Sequence, residues 1–195
     1  MEKAELRRSL LKRRQSMSVA EWKLHSDRIC TYITTSPLFT QAKTILAYFS
    51  FKKEPDLSPL FADIYFEGEK NTQIKKRWGF PRCVGDSLCW HLYTSEDALQ
   101  KSAYGIIEPH AHAPTINPAE VDLILIPCVA CDRQGYRLGY GGGYYDRLLS
   151  SPDWARKPTI GIVFDFAYLP QLPIEPWDQP LKNVCTQMGL TACGS

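Results

Sequence analysis

Val121-Asp-Leu-Ile-Leu-Ile-Pro-Cys-Val129 reads as the strongest strand in the chain, apolar enough to lie in a sheet covered on both faces. It runs directly into Asp132-Arg-Gln-Gly135-Tyr-Arg137-Leu-Gly139-Tyr-Gly141-Gly-Gly143-Tyr-Tyr145-Asp146-Arg147, and a helix opens at Tyr144 and continues to Leu149. Working outward, Pro158 to Phe164 is a second buried-strand candidate, and Thr44 to Phe49 and Leu88 to Tyr93 are shorter ones. Residues 2–16 read as a helix, and residues 19–34 as another behind the capping pattern Ser18-Val-Ala-Glu21. Leu57 to Phe66 is expected to be helical after Pro55. Lys70 to Arg77 is expected to be a solvated connection, Glu108 to Pro118 a loop, and the proline-rich chain after Pro170 an extended surface tail. Helices alternating with apolar strands predict an α/β fold, a layered α/β/α sandwich with a mostly parallel central sheet.

The 195 residues, 44% of them hydrophobic, can fill one sizeable core, so residues 1–195 are read as a single domain. A formal charge of +2, from 23 basic and 21 acidic residues, gives no field that argues for nucleic acid or membrane partners. The charged N-terminus resembles no signal peptide, and no run reaches transmembrane length. Seven scattered cysteines, an odd number, suggest a reducing cytoplasm rather than a disulfide framework.

Four glycines within the five residues Gly139 to Gly143 let backbone N–H groups approach an anion closely, and the following helix start adds partial positive charge. Arg137 and Arg147 can pair with phosphate oxygens, and Asp146 is within reach of a magnesium ion on those phosphates. The combination suggests a nucleotide triphosphate. It is neither a Walker A loop nor the dinucleotide G-x-G-x-x-G pattern. The plainer alternative, a tight turn with tyrosines packed in the core, leaves the flanking arginines and aspartate without a purpose.

In the first helix Lys3, Arg7 and Arg14 share a face with Leu6, Leu10, Leu11 and Met17. Cations inside an apolar stripe need an anion there, or must snorkel past the leucines to solvent. Glu54, after Phe49-Ser-Phe51-Lys-Lys, could accept hydrogen bonds from the amino-pyrimidine edge of a heterocycle, although a glutamate after two lysines is ordinarily solvated. Cys128-Val-Ala-Cys131 has no second ligand pair and reads as two small buried hydrophobes rather than a zinc site, and the His110/His112 loop reads as solvated.

With these residues in hand, the chain resembles the 5-formyltetrahydrofolate cyclo-ligase (methenyltetrahydrofolate synthetase) family. The resemblance runs from Lys3 to about Asp178 and rests on Lys3-x-x-Leu6-Arg7, Ser50-x-x-x-Glu54, Tyr104-Gly-Ile-x-Glu108-Pro109, the strand ending in Pro127, and Arg137-Leu-Gly-Tyr-Gly-Gly-Gly-Tyr-Tyr-Asp146. It implies a monomeric enzyme that uses Mg-ATP to convert 5-formyltetrahydrofolate to 5,10-methenyltetrahydrofolate. It further implies that Lys3 and Arg7 hold ATP phosphates together with Arg137, Leu138, Gly139, Tyr140, Gly141, Gly142, Gly143, Tyr144 and Tyr145. Glu54 would recognise the pterin, Phe49, Tyr104 and Tyr145 would pack on the folate, and Asp146 and Asp178 would bind Mg²⁺. The chain departs from the family pattern at Cys131, where an aromatic is common, at Leu57, where a threonine often stands, and at Asn183, where an acid is frequent. Two other classes are weighed against this reading: a phosphotransferase for another small molecule, and a nucleic-acid module built on the basic segment Lys70 to Arg82.

Overall fold

The computed structural model describes residues 2–64, 76–94, 99–102 and 105–194. The chain opens with helices α1 (Lys3–Ser16), α2 (Val19–Thr34) and α3 (Pro37–Gln41), followed by strands β1 (Thr44–Leu46), β2 (Arg77–Val84) and β3 (Ser87–Tyr93). Strands β4 (Leu99–Lys101), β5 (Ile107–Pro109), β6 (Leu123–Pro127), β7 (Ala130–Asp132) and β8 (Arg137–Leu138) come next, then helices α4 (Tyr144–Ser150) and α5 (Pro152–Ala155). Strands β9 (Thr159–Ile162), β10 (Tyr168–Leu169), β11 (Asn183–Thr186) and β12 (Gly189–Ala192) complete the order. A seven-stranded sheet in the order β12-β11-β9-β6-β1-β2-β3 is parallel through its middle five strands and antiparallel at both edges.

The pleat sorts the apolar strands onto two faces. Leu123 and Leu125 of β6 join the cluster that contains Ile29, Ile33 and Phe39 of α2 and α3, whereas Ile124 and Ile126 join the cluster of Leu148, Leu149 and Trp154 from α4 and α5. Helix α1 gives Leu6 and Leu10 to the second cluster and its C-cap Met17 joins the first, so it lies across an end of the sheet rather than on one face. Among the described residues no helix is long and apolar enough to cross a membrane.

Three expectations change. The chain after Pro170 is not only a surface wrap, because β11 enters the central sheet beside β9, with Val184 and Cys185 buried on opposite faces. Two apolar residues are too short a run to announce a strand; the exposed edge of β9 selects it. Likewise Arg77, read as the end of a solvated connection, begins β2, which buries Trp78 and Phe80. The expected helix at 57–66 is, over its described part, 3-10 turns (Ser58–Ile64) kinked at Phe61; the basic residues 70–75 lie outside the described residues.

After β7 the chain reverses through a turn built on Asp132, which is fully buried. Its carboxylate accepts the backbone N–H groups of Gln134 (3.0 Å), Tyr136 (2.9 Å) and Leu172 (2.9 Å). Gly135 takes φ +90°, and a Cβ there would lie 2.3 Å from the Leu181 carbonyl oxygen. Gly135→Ala therefore combines left-handed strain with a backbone clash and is expected to destabilise the fold by about 2–4 kcal/mol, read as a lower urea midpoint.

Candidate active site

Helix α1 points its cations at the carboxyl end of the sheet. Arg7 donates from Nε to the Gly139 carbonyl at 2.7 Å, and an ideal Cβ on Gly141 (φ +104°) would lie 3.8 Å from the same guanidinium. Lys3 pairs with Asp178 at 2.5 Å. Arg14 does not snorkel: it is 4% exposed, donates from Nε to the Lys52 carbonyl at 3.1 Å and from Nη2 to the Tyr140 hydroxyl, and leaves Nη1 buried without a hydrogen-bond partner among the described residues. The apolar stripe of α1 thus brings its cations to the glycine loop.

Within that loop Arg137 is 9% exposed, and its guanidinium donates to Asp146 Oδ1 (2.8 Å) and to the Gln179 carbonyl (2.6 Å). Asp146 Oδ1 also accepts the Gln179 N–H at 3.1 Å, so the start of α4, the strand before the loop and the C-terminal segment are tied at one point. Arg147 donates to the Gly142 and Asp86 carbonyls. Gly143 sits at φ +68°, and its missing Cβ leaves room for the Arg147 guanidinium. Leu138 is buried beneath the loop. Helix α4 is seven residues long, so backbone N–H groups and nearby cations, more than a long helix dipole, set the loop's affinity for anions. Gly141, Gly142, Gly143, Asp146, Arg147 and Trp177 are among the residues lining a pocket of about 480 Å³, within the size range of small-molecule sites. Another hollow, of about 410 Å³, includes Lys157 and Lys182, whose ammonium groups both donate to main-chain carbonyls.

Glu54 is 3% exposed, against the expectation of a solvated residue. Lys52 and Lys53 before it adopt φ +48° and +56°, an uncommon pair of left-handed lysines. They turn the chain so that the carboxylate faces inward, where Oε2 accepts the Phe51 N–H at 3.0 Å, and Lys53 is held by the Met17 and Gln15 carbonyls. Burial pushes the Glu54 carboxyl up to about 7, while Arg14, the Phe51 N–H and the Tyr140 hydroxyl pull it down. The Tyr140 hydroxyl of the glycine loop, which accepts from Arg14, is raised by burial and by the Glu54 charge. Phe49 stacks on Phe80 with centroids 4.1 Å apart and meets Tyr93 edge-on. Tyr145 lies under the Arg137 guanidinium and beside Trp90; burial raises its hydroxyl as well. Tyr144 donates to the Gly85 carbonyl at 3.2 Å, and Tyr104 lies outside the described residues.

The structure thus gathers Lys3, Arg7, residues 137–146, Asp178 and Glu54 at one end of the sheet. Sequence reasoning left Arg14 undecided and missed Trp177 and Gln179. For Arg14 the signal was its place in the apolar stripe; for the other two no periodicity marks the segment. Asp146 and Asp178 each have one carboxylate oxygen that accepts no hydrogen bond among the described residues, and Gln179, next to Asp178, donates to Asp146. One or two carboxylates beside phosphate oxygens and water suit Mg²⁺. Cys128 and Cys131 are buried free thiols, and among the described residues no metal-ligating group of three or more forms. Arg77 and Arg82 of the basic segment are paired with Glu120 (2.9 Å) and Glu108 (3.3 Å).

A mostly parallel sheet with a cation-flanked glycine loop and a buried carboxylate at one end defines an α/β protein whose candidate site lies where such sheets bind ligands. The model of the 5-formyltetrahydrofolate cyclo-ligase family matches residues 1–187, and the chain belongs to that family. The 5-formyltetrahydrofolate cyclo-ligase of Haemophilus influenzae is 33% identical over 74% of this chain and 75% of its own length; that of Mycoplasma pneumoniae is 32% identical over 94% and 98%. In structure, the chain is similar to the 5,10-methenyltetrahydrofolate synthetase of Aquifex aeolicus, with a TM-score of 0.84 and 31% identity, covering 100% of this chain and 94% of that one.

The elevated Glu54 pKa has a thermodynamic consequence. Because the folded value, about 7, exceeds the ordinary 4.5, this group's contribution is fully present below pH 4.5 and is lost as pH rises through 7. The difference corresponds to about 3 kcal/mol. Glu54→Gln is expected to remove that dependence, so urea midpoints of the variant and parent should diverge between pH 5 and pH 8, the variant gaining relative stability at the higher pH.

Proposed function

We propose that this enzyme converts 5-formyltetrahydrofolate to 5,10-methenyltetrahydrofolate in a reaction driven by ATP. The observation that carries the reading is the buried Arg14, which donates to the Tyr140 hydroxyl of the glycine loop and whose charge favours the buried Glu54 carboxylate, so that a phosphate-type loop and a heterocycle-type carboxylate stand near one cation, as a two-substrate reaction requires. Family membership supports the folate substrate.

In this reading Lys3, Arg7 and the amides of Gly139 to Gly143 hold the ATP phosphates, while Glu54 accepts N–H groups of the pterin. Phe49 and Tyr145 supply apolar walls. The formyl oxygen on N5 is a poor leaving group; it takes the γ-phosphoryl group and ADP departs. N10 then attacks the activated formyl carbon, and phosphate and the N10 proton are lost as the methenyl bridge closes. Most of the protein's work is positioning and charge stabilisation, which suits a site built from cations, loop amides and one anchored carboxylate. Asp146 and Asp178 would hold Mg²⁺, whose charge neutralises the phosphates.

The direct test follows methenyltetrahydrofolate formation by absorbance from 5-formyltetrahydrofolate and Mg-ATP; no product, or product without ADP, overturns the proposal. Glu54→Gln is expected to weaken folate binding by about 1–3 kcal/mol in calorimetry while leaving ATP binding nearly unchanged.

Asp146→Asn separates metal binding from scaffolding. Loss of the Arg137 pair alone predicts a stability loss of about 1–2 kcal/mol with a normal Mg²⁺ requirement. Metal binding predicts in addition a large fall in turnover and a raised Mg²⁺ requirement, measured by titrating activity against Mg²⁺. Superimposable titration curves with similar maximal rates would remove Asp146 from the metal site.

A further inference from the structure

Trp177 is 65% exposed, and no ring or cation stacks on it among the described residues. Large aromatic side chains left in water on a pocket wall commonly await a partner. Trp177 follows Pro176 in a tight turn closed by the Asp178 N–H donating to the Glu175 carbonyl at 3.0 Å and by Asp178 Oδ2 accepting the Glu175 N–H at 2.7 Å. The turn is clamped on both sides, to α1 through Lys3–Asp178 and to the glycine loop through Arg137–Gln179 and Gln179–Asp146. The indole is therefore presented from a fixed base. It lines the same pocket as Gly141, Gly142 and Gly143.

One wall of that pocket offers loop amides and a cation, and another offers a flat apolar face. A polyanion joined to a planar heterocycle matches both walls. We infer that Trp177 is the platform on which the base of the bound nucleotide stacks, an inference that rests on the proposed nucleotide reading of the glycine loop. The phosphates lie on the loop and the base lies against the indole. The turn thus sets how tightly a nucleotide is held beyond what its phosphates provide, and Lys3, by fastening Asp178, links the phosphate end of the site to the base end.

The test measures binding of ATP, inorganic tripolyphosphate and 5-formyltetrahydrofolate by calorimetry to the full chain and to Trp177→Ala and Trp177→Phe, after confirming that each keeps the parent's thermal transition. Stacking predicts that Trp177→Ala raises the Kd for ATP roughly 5- to 50-fold and that Trp177→Phe recovers most of the loss. Binding of tripolyphosphate and of the folate should not change. Equal weakening of ATP and tripolyphosphate would mean that the turn only orders the phosphate end, and weakening of the folate alone would make the folate the occupant; either overturns the inference, as does unchanged ATP binding. If the parent protein binds neither ATP nor tripolyphosphate, the nucleotide reading itself fails, and this inference with it.

Discussion

The Arg137 guanidinium joins three parts of the chain: the short strand that carries it, Asp146 in the first turn of α4, and the Gln179 carbonyl in the segment that leads into β11. Its side chain is 4% exposed, and a cation so placed must satisfy its donors or bear a large desolvation penalty. Both contacts are charge-assisted. A buried ion pair is weak evidence for net stability, but removal of either partner strands the other, so the geometry is enforced. Everything at this end of the sheet refers back to it: the conformation of the glycine loop, the start of α4, and the turn that presents Trp177.

Glu54 illustrates the opposite balance. Its burial raises the free energy of the carboxylate, and the three groups that favour the charge come from three places: Arg14 on α1, the Phe51 N–H in its own turn, and Tyr140 in the glycine loop. A carboxylate held in a low-dielectric pocket is a poor contributor to stability and a strong acceptor for a ligand's N–H groups. The left-handed lysines that orient it carry local backbone strain at the site, where such strain is commonly found. On the proposed function, folding and ligand recognition therefore pull in different directions at this residue.

Much of the architecture was legible locally. The run from Val121 to Val129 announced a covered strand, alternating helices and strands announced the α/β layers, and four clustered glycines between arginines marked the loop on which the proposed function rests. The stripe of α1 located Lys3 and Arg7 because a helical period of 3.6 residues sorts side chains onto faces without tertiary information. What escaped reading were features set by partners distant in sequence. β11 has only Val184 and Cys185 as its buried apolar pair, and it is a strand because β9 offers it an edge. β2 was hidden by its basic beginning.

The sequence by itself determined the identity of the sheet's central strand, the place of the glycine loop between two arginines and the face of α1 that carries its cations, because each depends on neighbours within a few residues. Only the tertiary structure decided that Glu54 is buried, that Arg14 and Tyr140 are its partners, that Arg137 anchors Asp146, and that Trp177 stands beside the glycine loop. Those outcomes depend on contacts across as many as 175 positions, as between Lys3 and Asp178, which fastens the turn of Trp177. Burial and pKa are properties of the surrounding dielectric and charges, and no local pattern along a chain specifies which distant segments will supply them.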